Sequence, residues 1–172
     1  QQAARELAAE FVDREIVPHA AAWDRREQVD TGIVKQLGEL GFLGLTIPEE
    51  YGGSGGDHVA YCLVLEELGR GDSAVRGMVS VSLGLVGKSI ATYGTAEQKR
   101  EWLPRLTAGE ALACFALTEP DTGSDAAALS TRAVRSGDDW LISGAKTFIT
   151  NGTWAEVALV FARTGGAGHR GI

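Results

Sequence analysis

Two stretches of this sequence hold side chains whose types and spacing could do chemistry. The first, Cys114-Phe-Ala-Leu-Thr-Glu-Pro-Asp-Thr-Gly-Ser-Asp125, reads as a strand ending in Thr118 and a loop holding Pro120, Gly123 and Ser124. Such a mouth presents backbone N–H groups and two hydroxyls together, which suits a planar, multiply hydrogen-bonding ligand with an anionic tail. The same residues would equally serve as a strand followed by an Asx or Ser/Thr turn. The second stretch, Gly144-Ala-Lys-Thr-Phe-Ile-Thr-Asn-Gly152, is predicted to place Phe148 and Thr150 on one side of a strand. There Phe148 can stack on a ring while Thr150 donates to its edge; the plain alternative is an ordinary core aromatic.

Other motifs carry less. Ser82-Leu-Gly-Leu-Val-Gly-Lys-Ser89 ends like a phosphate-binding P-loop but has Ser82 where that loop needs glycine, and its context is helical. Gly52-Gly-Ser-Gly-Gly56 lacks the strand-to-helix setting of a dinucleotide fingerprint and reads as a flexible turn. His19, His58 and His169 stand singly, with no second ligand at helical spacing, so no metal site is predicted. No G-x-S-x-G elbow occurs, which leaves serine hydrolase chemistry without local support. Cys62 and Cys114 sit in apolar surroundings and read as reduced core residues, in keeping with a soluble protein of a reducing compartment.

The elements that must position these residues divide the chain. Over the first hundred or so residues the apolar positions recur at helical offsets. Ala4, Leu7, Ala8, Phe11 and Val12 form a first stripe that Pro18 is predicted to limit, and Ile33, Val34, Leu37 and Leu40 form a second, closed by Gly41. A Gly-rich loop follows. Asp57 is predicted to cap a third helix carrying Ala60, Leu63, Val64 and Leu68, and Asp72 or Ser73 opens a fourth that runs to about Tyr93. Thr95-Ala-Glu-Gln98 spells a capping box for a fifth. Beyond residues 107 to 112 the pattern turns to strands: Ala113 to Thr118, a hairpin of Thr131 to Arg135 and Trp140 to Ile142 about Ser136-Gly137-Asp138-Asp139, then Thr147 to Thr150 and Val157 to Ala162. Helices first and strands afterwards predict an α+β chain of two units, residues 1–111 and 112–172.

The 172 residues are 44% hydrophobic and 23% charged, the composition of a folded protein. A net charge of -7 makes nucleic acid and anionic membranes poor partners. No uninterrupted apolar run approaches the ~18 residues of a membrane span. With no initiating Met and a last segment, GHRGI, that reads as a turn leading into a strand, the ends look cut.

Together, LTEPDTGSD and, about twenty residues later, GAKTFITNG resemble the paired flavin-contacting signatures of the acyl-CoA dehydrogenase family. The likeness extends upstream through IPEEYGG, LEELGR and YGTAEQKREWLPRLTAGE, and so covers nearly the whole chain. It implies an N-terminal all-α domain, a small β-barrel domain incomplete at its C-terminal end, and a C-terminal helical bundle that this chain lacks. It implies FAD as cofactor, held first by the segment from Phe115 to Ser124. Leu117 and Thr118 would meet the pyrimidine side of the ring, and Gly123 and Ser124 the pyrophosphate, with Ser124 also against the acyl-CoA substrate. Phe148, Ile149 and Thr150 would form the second segment, Phe148 covering one ring face where many members have Trp, and Thr150 donating near N5. The implied reaction is α,β-dehydrogenation of a fatty or branched short-chain acyl-CoA, with electrons passed to an electron-transfer flavoprotein and a homotetrameric assembly. The Glu base would lie in the missing bundle; Glu119 is expected to orient its loop instead. A bacterial cytoplasmic location is expected, the mitochondrial matrix being the alternative. Relatives on one scaffold could act on acyl-carrier-protein thioesters or nitroalkanes, or survive as a non-catalytic acyl-binding subunit.

Overall fold

The computed structural model describes residues 1–172. Helix α1 (Gln2–Phe11) buries Ala8 and Phe11, as its apolar stripe predicts. Pro18 does not end this helix. A π-helical turn over Val12–Ile16 carries the chain into α2 (Val17–Arg26), and the Val17 N–H reaches back to the Val12 carbonyl. Because the extra residue resets the ladder just before it, Pro18 falls in the first turn of α2, where a missing N–H costs nothing. Helix α3 (Gly32–Glu39) buries Ile33, Val34 and Leu37, and Gly41, at φ +76°, takes the left-handed position beyond its end.

The Asp57 carboxylate caps α4 (His58–Gly71) by accepting the Ala60 N–H at 2.8 Å. Val64 and Leu68 face the core, while Cys62, two residues before Val64 and so on the opposite helical face, is exposed rather than buried. Cys114 is buried as expected, and burial pushes its thiol up. Asp72 caps α5 (Ser73–Val79) through the Ala74 and Val75 amides. A second π-helical stretch, Ser80–Gly87, continues it into α6 (Lys88–Tyr93). This run, Ser73–Tyr93, is long and apolar enough to cross a membrane by length and composition. Here Val75, Met78, Val79, Leu83 and Val86 are buried in the body of the protein. Its P-loop-like residues are helical. Helix α7 (Ala96–Thr107) opens on the predicted capping box, with the Thr95 hydroxyl and Gln98 side chain each taking a free amide.

The helices close over one core in which Phe11, Ile16, Trp23, Leu37, Phe42, Val64, Leu68 and Val79 meet, with Phe11 edge-on to Phe42. A buried acid ties α1 to α4: Glu67 accepts Arg70 Nε at 2.8 Å and Arg5 Nε at 3.0 Å. The two guanidiniums, Arg70 foremost, hold its carboxyl below its ordinary value.

The second unit is a small sheet domain. Strand β1 (Ala113–Ala116) pairs in parallel with β4 (Val157–Val160), and β2 (Arg132–Ser136) pairs with β3 (Asp139–Ser143) across a two-residue turn in which Gly137 has φ +65°. The two ladders meet where the Ala133 amide donates to the Arg163 carbonyl at 2.9 Å and the Arg163 amide to the Thr131 carbonyl at 2.7 Å. Strand β1 lies on the π-helical stretch of the long helix, where buried Ser82 accepts the Ala113 N–H at 3.2 Å. The strand predicted over Thr147 to Thr150 does not form. Phe148 and Asn151 both adopt positive φ, so the chain bends there in spite of its β-branched residues, and tertiary hydrogen bonding overrides propensity.

Two glycines separate packing from propensity. A Cβ at Gly53 would lie 2.0 Å from the Ile47 carbonyl oxygen, whereas one at Gly77, inside α5, meets nothing within 4 Å. Gly53→Ala is expected to destabilise by about 2 kcal/mol or more and Gly77→Ala to stabilise by about 0.5–1 kcal/mol, both read from urea unfolding midpoints.

Candidate functional site

The two chemistry-bearing segments lie side by side. The Thr147 amide donates to the Thr118 carbonyl at 2.9 Å, and Lys146 Nζ donates to the Leu117 carbonyl, also at 2.9 Å. The same ammonium sits 2.9 Å from Glu119 Oε1. Glu119, only 4% exposed, is fully engaged. Its Oε1 also accepts the Thr131 amide at 2.8 Å, and its Oε2 accepts the Ser130 amide at 2.6 Å and hydroxyl at 2.7 Å. Burial alone would raise this carboxyl's pKa, but the donors from Thr131, Ser130 and Lys146 outweigh it and hold the group well below the usual carboxylate range. With both oxygens doubly bonded, Glu119 has no free lone pair with which to accept a substrate proton.

The loop after β1 is closed by paired backbone bonds between Glu119 and Thr122, which turn the chain about Pro120-Asp121 and leave Gly123 and Ser124 exposed. Leu117 and Thr118 are half-buried at the strand's end. Phe115 points elsewhere: its ring packs 5.0 Å from Phe161, beside the cluster of Val86, Leu106 and Ala113. Phe148, at φ +55°, is 92% exposed, so it does not share a strand face with Thr150 as the spacing predicts. Ile149 is half-buried, and Thr150 lines a cavity of about 680 Å³ with Trp23, Asp72, Arg76, Met78, Asn151 and others. Leu117, Thr118 and Ser124 lie outside that cavity. Val86 borders a separate apolar cavity of about 440 Å³ between α6, α7 and β4.

The donor set fits a flat, polar-edged ligand. Internal side-chain bonds of this region come from Ser130, Lys146 and Asn151, and they leave the hydroxyls of Thr118, Ser124 and Thr150 free. A Cβ at Gly123 would meet nothing within 4 Å, so the loop is open on the side a phosphate would approach. Phe148 offers an uncovered ring face.

Two residues that the sequence reading passed over hold this arrangement together. Lys146 is one. Asn151 is the other: buried, at φ +66°, it donates through Nδ2 to the Met78 carbonyl at 3.3 Å and the Ala113 carbonyl at 3.0 Å, joining α5, β1 and the Thr150 turn. The available signal for Lys146 was its being the sole charge between Ser143 and Trp154. For Asn151 it was the Asn-Gly pair, which marks a left-handed turn.

A helical domain followed by a small sheet domain, with this paired loop arrangement between them, is the architecture of a known group of enzymes. Residues 1–110 match the N-terminal domain of acyl-CoA dehydrogenase and residues 114–172 its middle domain; the chain belongs to the acyl-CoA dehydrogenase family. It is 42% identical to the probable acyl-CoA dehydrogenase YngJ of Bacillus subtilis, over 96% of this chain and 43% of that protein. Against the mitochondrial short-chain specific acyl-CoA dehydrogenase of Rattus norvegicus it is 41% identical, over 95% of this chain and 40% of the relative. A crystal structure of glutaryl-CoA dehydrogenase from Mycobacterium smegmatis, in complex with FADH2, superposes with a TM-score of 0.91 at 44% identity, over 94% of this chain and 42% of that one. The chain thus spans about two fifths of the length of these relatives.

Because the Glu119 carboxyl is depressed in the folded state, its stabilising contribution is present above the unfolded value near ~4.3 and is lost as pH falls through the lower folded value. Glu119→Gln is expected to cost about 3–5 kcal/mol at neutral pH and to flatten the decline of stability below about pH 4, measured by urea unfolding across pH.

Proposed function

We propose that this chain supplies the flavin-facing wall, and part of the acyl-facing wall, of an enzyme that removes two hydrogens from the Cα–Cβ bond of an acyl-CoA thioester. The observation that carries this reading is the joining of the two signature segments through Lys146 and Thr147, with the hydroxyls of Thr118, Ser124 and Thr150 free of internal bonds and Phe148 exposed. FAD, when bound, would supply the hydride acceptor for the β hydrogen. Leu117 and Thr118 would meet its pyrimidine edge, Gly123 and Ser124 its pyrophosphate, and Phe148, Ile149 and Thr150 its ring, with Thr150 donating toward N5. Ser124 would also lie against the acyl-CoA.

The α proton needs a carboxylate base, and the saturated Glu119 cannot be that base. By family resemblance that base would lie in the C-terminal helical bundle, outside residues 1–172. Electrons would pass to an electron-transfer flavoprotein from a homotetramer, in a bacterial cytoplasm or a mitochondrial matrix. These finer points rest on family membership.

A narrower reading concerns the far end of the acyl group. Arg76 is the one cation lining the cavity that Thr150 shares, which Asp24, Glu27 and Asp72 also line; its guanidinium bonds none of these acids and reaches only the hydroxyls of Ser73 and Ser80, at 3.4 and 3.5 Å. Such a group suits a thioester that ends in a second carboxylate.

The whole protein is expected to purify yellow with one FAD per chain, and Thr118→Val/Thr150→Val is expected to weaken FAD binding by about tenfold or more. Colourless protein that takes up no FAD on reconstitution would sink the reading in favour of a non-catalytic acyl-binding subunit. For the narrower reading, Arg76→Met should raise KM for a glutaryl thioester by about tenfold or more while changing KM for a butyryl thioester by less than about twofold. Equal effects on both thioesters count against a carboxylate contact.

A further inference from the structure

We infer that Lys146 is a positioning residue for the cofactor, acting through the peptide between Leu117 and Thr118; the inference rests on the functional reading above. The Lys146 ammonium is almost enclosed, with side-chain exposure of 12%, and two of its donors are directed, one to Glu119 Oε1 and one to the Leu117 carbonyl. Glu119 cannot follow a moving lysine, because the Ser130 and Thr131 amides fix its carboxylate from the other side. Lys146 is therefore held in place, and so is the carbonyl it holds.

A trans peptide points its C=O and N–H in opposite directions. With the Leu117 carbonyl turned inward to Lys146, the Thr118 N–H is turned away from it, and that N–H donates to no backbone carbonyl in the chain. The next carbonyl, that of Thr118, is taken by the Thr147 amide, so the peptide is anchored on both sides by the second signature segment. The result is a free, outward N–H whose orientation is set before any ligand arrives. At the edge of a flavin where reduction builds negative charge, such a preorganised donor favours the reduced state. Neither segment could orient it alone.

The test uses the whole protein, its apoprotein and FAD. In Lys146→Met the FAD Kd, read by fluorescence titration of apoprotein, should rise about tenfold, the size of one lost hydrogen bond, and the flavin midpoint potential should shift negative. Lys146→Met also strands a buried carboxylate, so Lys146→Met/Glu119→Gln serves as the second variant. Removing that charge should recover much of the apoprotein's thermal stability while the weaker FAD binding and the negative shift persist. A double variant with wild-type FAD affinity and wild-type potential overturns the inference, since the pair would then serve folding alone. Wild-type protein that binds no FAD overturns the functional reading itself, a separate result visible before any variant is made.

Discussion

Everything distinctive about this site depends on one buried ion pair, Lys146 with Glu119. Removing two charges from water is expensive, and their attraction offsets that cost only when every remaining lone pair and proton has a partner. Here the acid meets that requirement with four donors, two to each oxygen, and two of the three ammonium protons go to the carboxylate and the Leu117 carbonyl. Those extra partners are the loop after β1 and the stretch just before β2. The cost of desolvation therefore acts as a constraint on geometry: the pair is stable only if three separate backbone segments meet around it.

The pair alone would hold the two signature segments to each other but not to the helices. That second attachment falls to Asn151, whose amide bridges the carbonyl of Met78 in the long helix and that of Ala113 in β1. Ser82, from the π-helical stretch, caps the start of the same strand. The Glu156 amide donates to the Leu112 carbonyl, and the Arg105 side chain pairs with that of Glu156. These bonds across the junction hold Thr150 beside α5 and the cavity that α5 lines.

Much of the helical unit was legible because its signals are local. An Asp or Thr before an apolar run can satisfy free amides wherever the chain goes, so Asp57, Asp72 and Thr95 cap where expected. The hairpin about Gly137-Asp138 is equally local, since only a two-residue turn of that composition matches the twist of its strands. Two errors arose where a local rule met a non-local remedy. Pro18 breaks a regular helix, but a π-helical turn placed the break at a new helix start. Thr147 to Thr150 has strand-forming residues, yet the Lys146 and Thr147 bonds to the first segment, followed by positive φ at Phe148 and Asn151, require a bend.

The sequence by itself determined the two-unit order, the helix starts at Asp57, Asp72 and Thr95, the hairpin and the family, because capping, periodicity and signature spacing are written in residues near one another along the chain. Only the tertiary structure decided that Glu119 is a saturated strut, that Lys146 orients the Leu117–Thr118 peptide, that Phe115 packs inward while Phe148 stands exposed, and that Asn151 joins the site to the helices. Each of these depends on which distant groups share a desolvated volume. Partnership in such a volume is set by the closing of the fold around it, and spacing along the chain does not encode it.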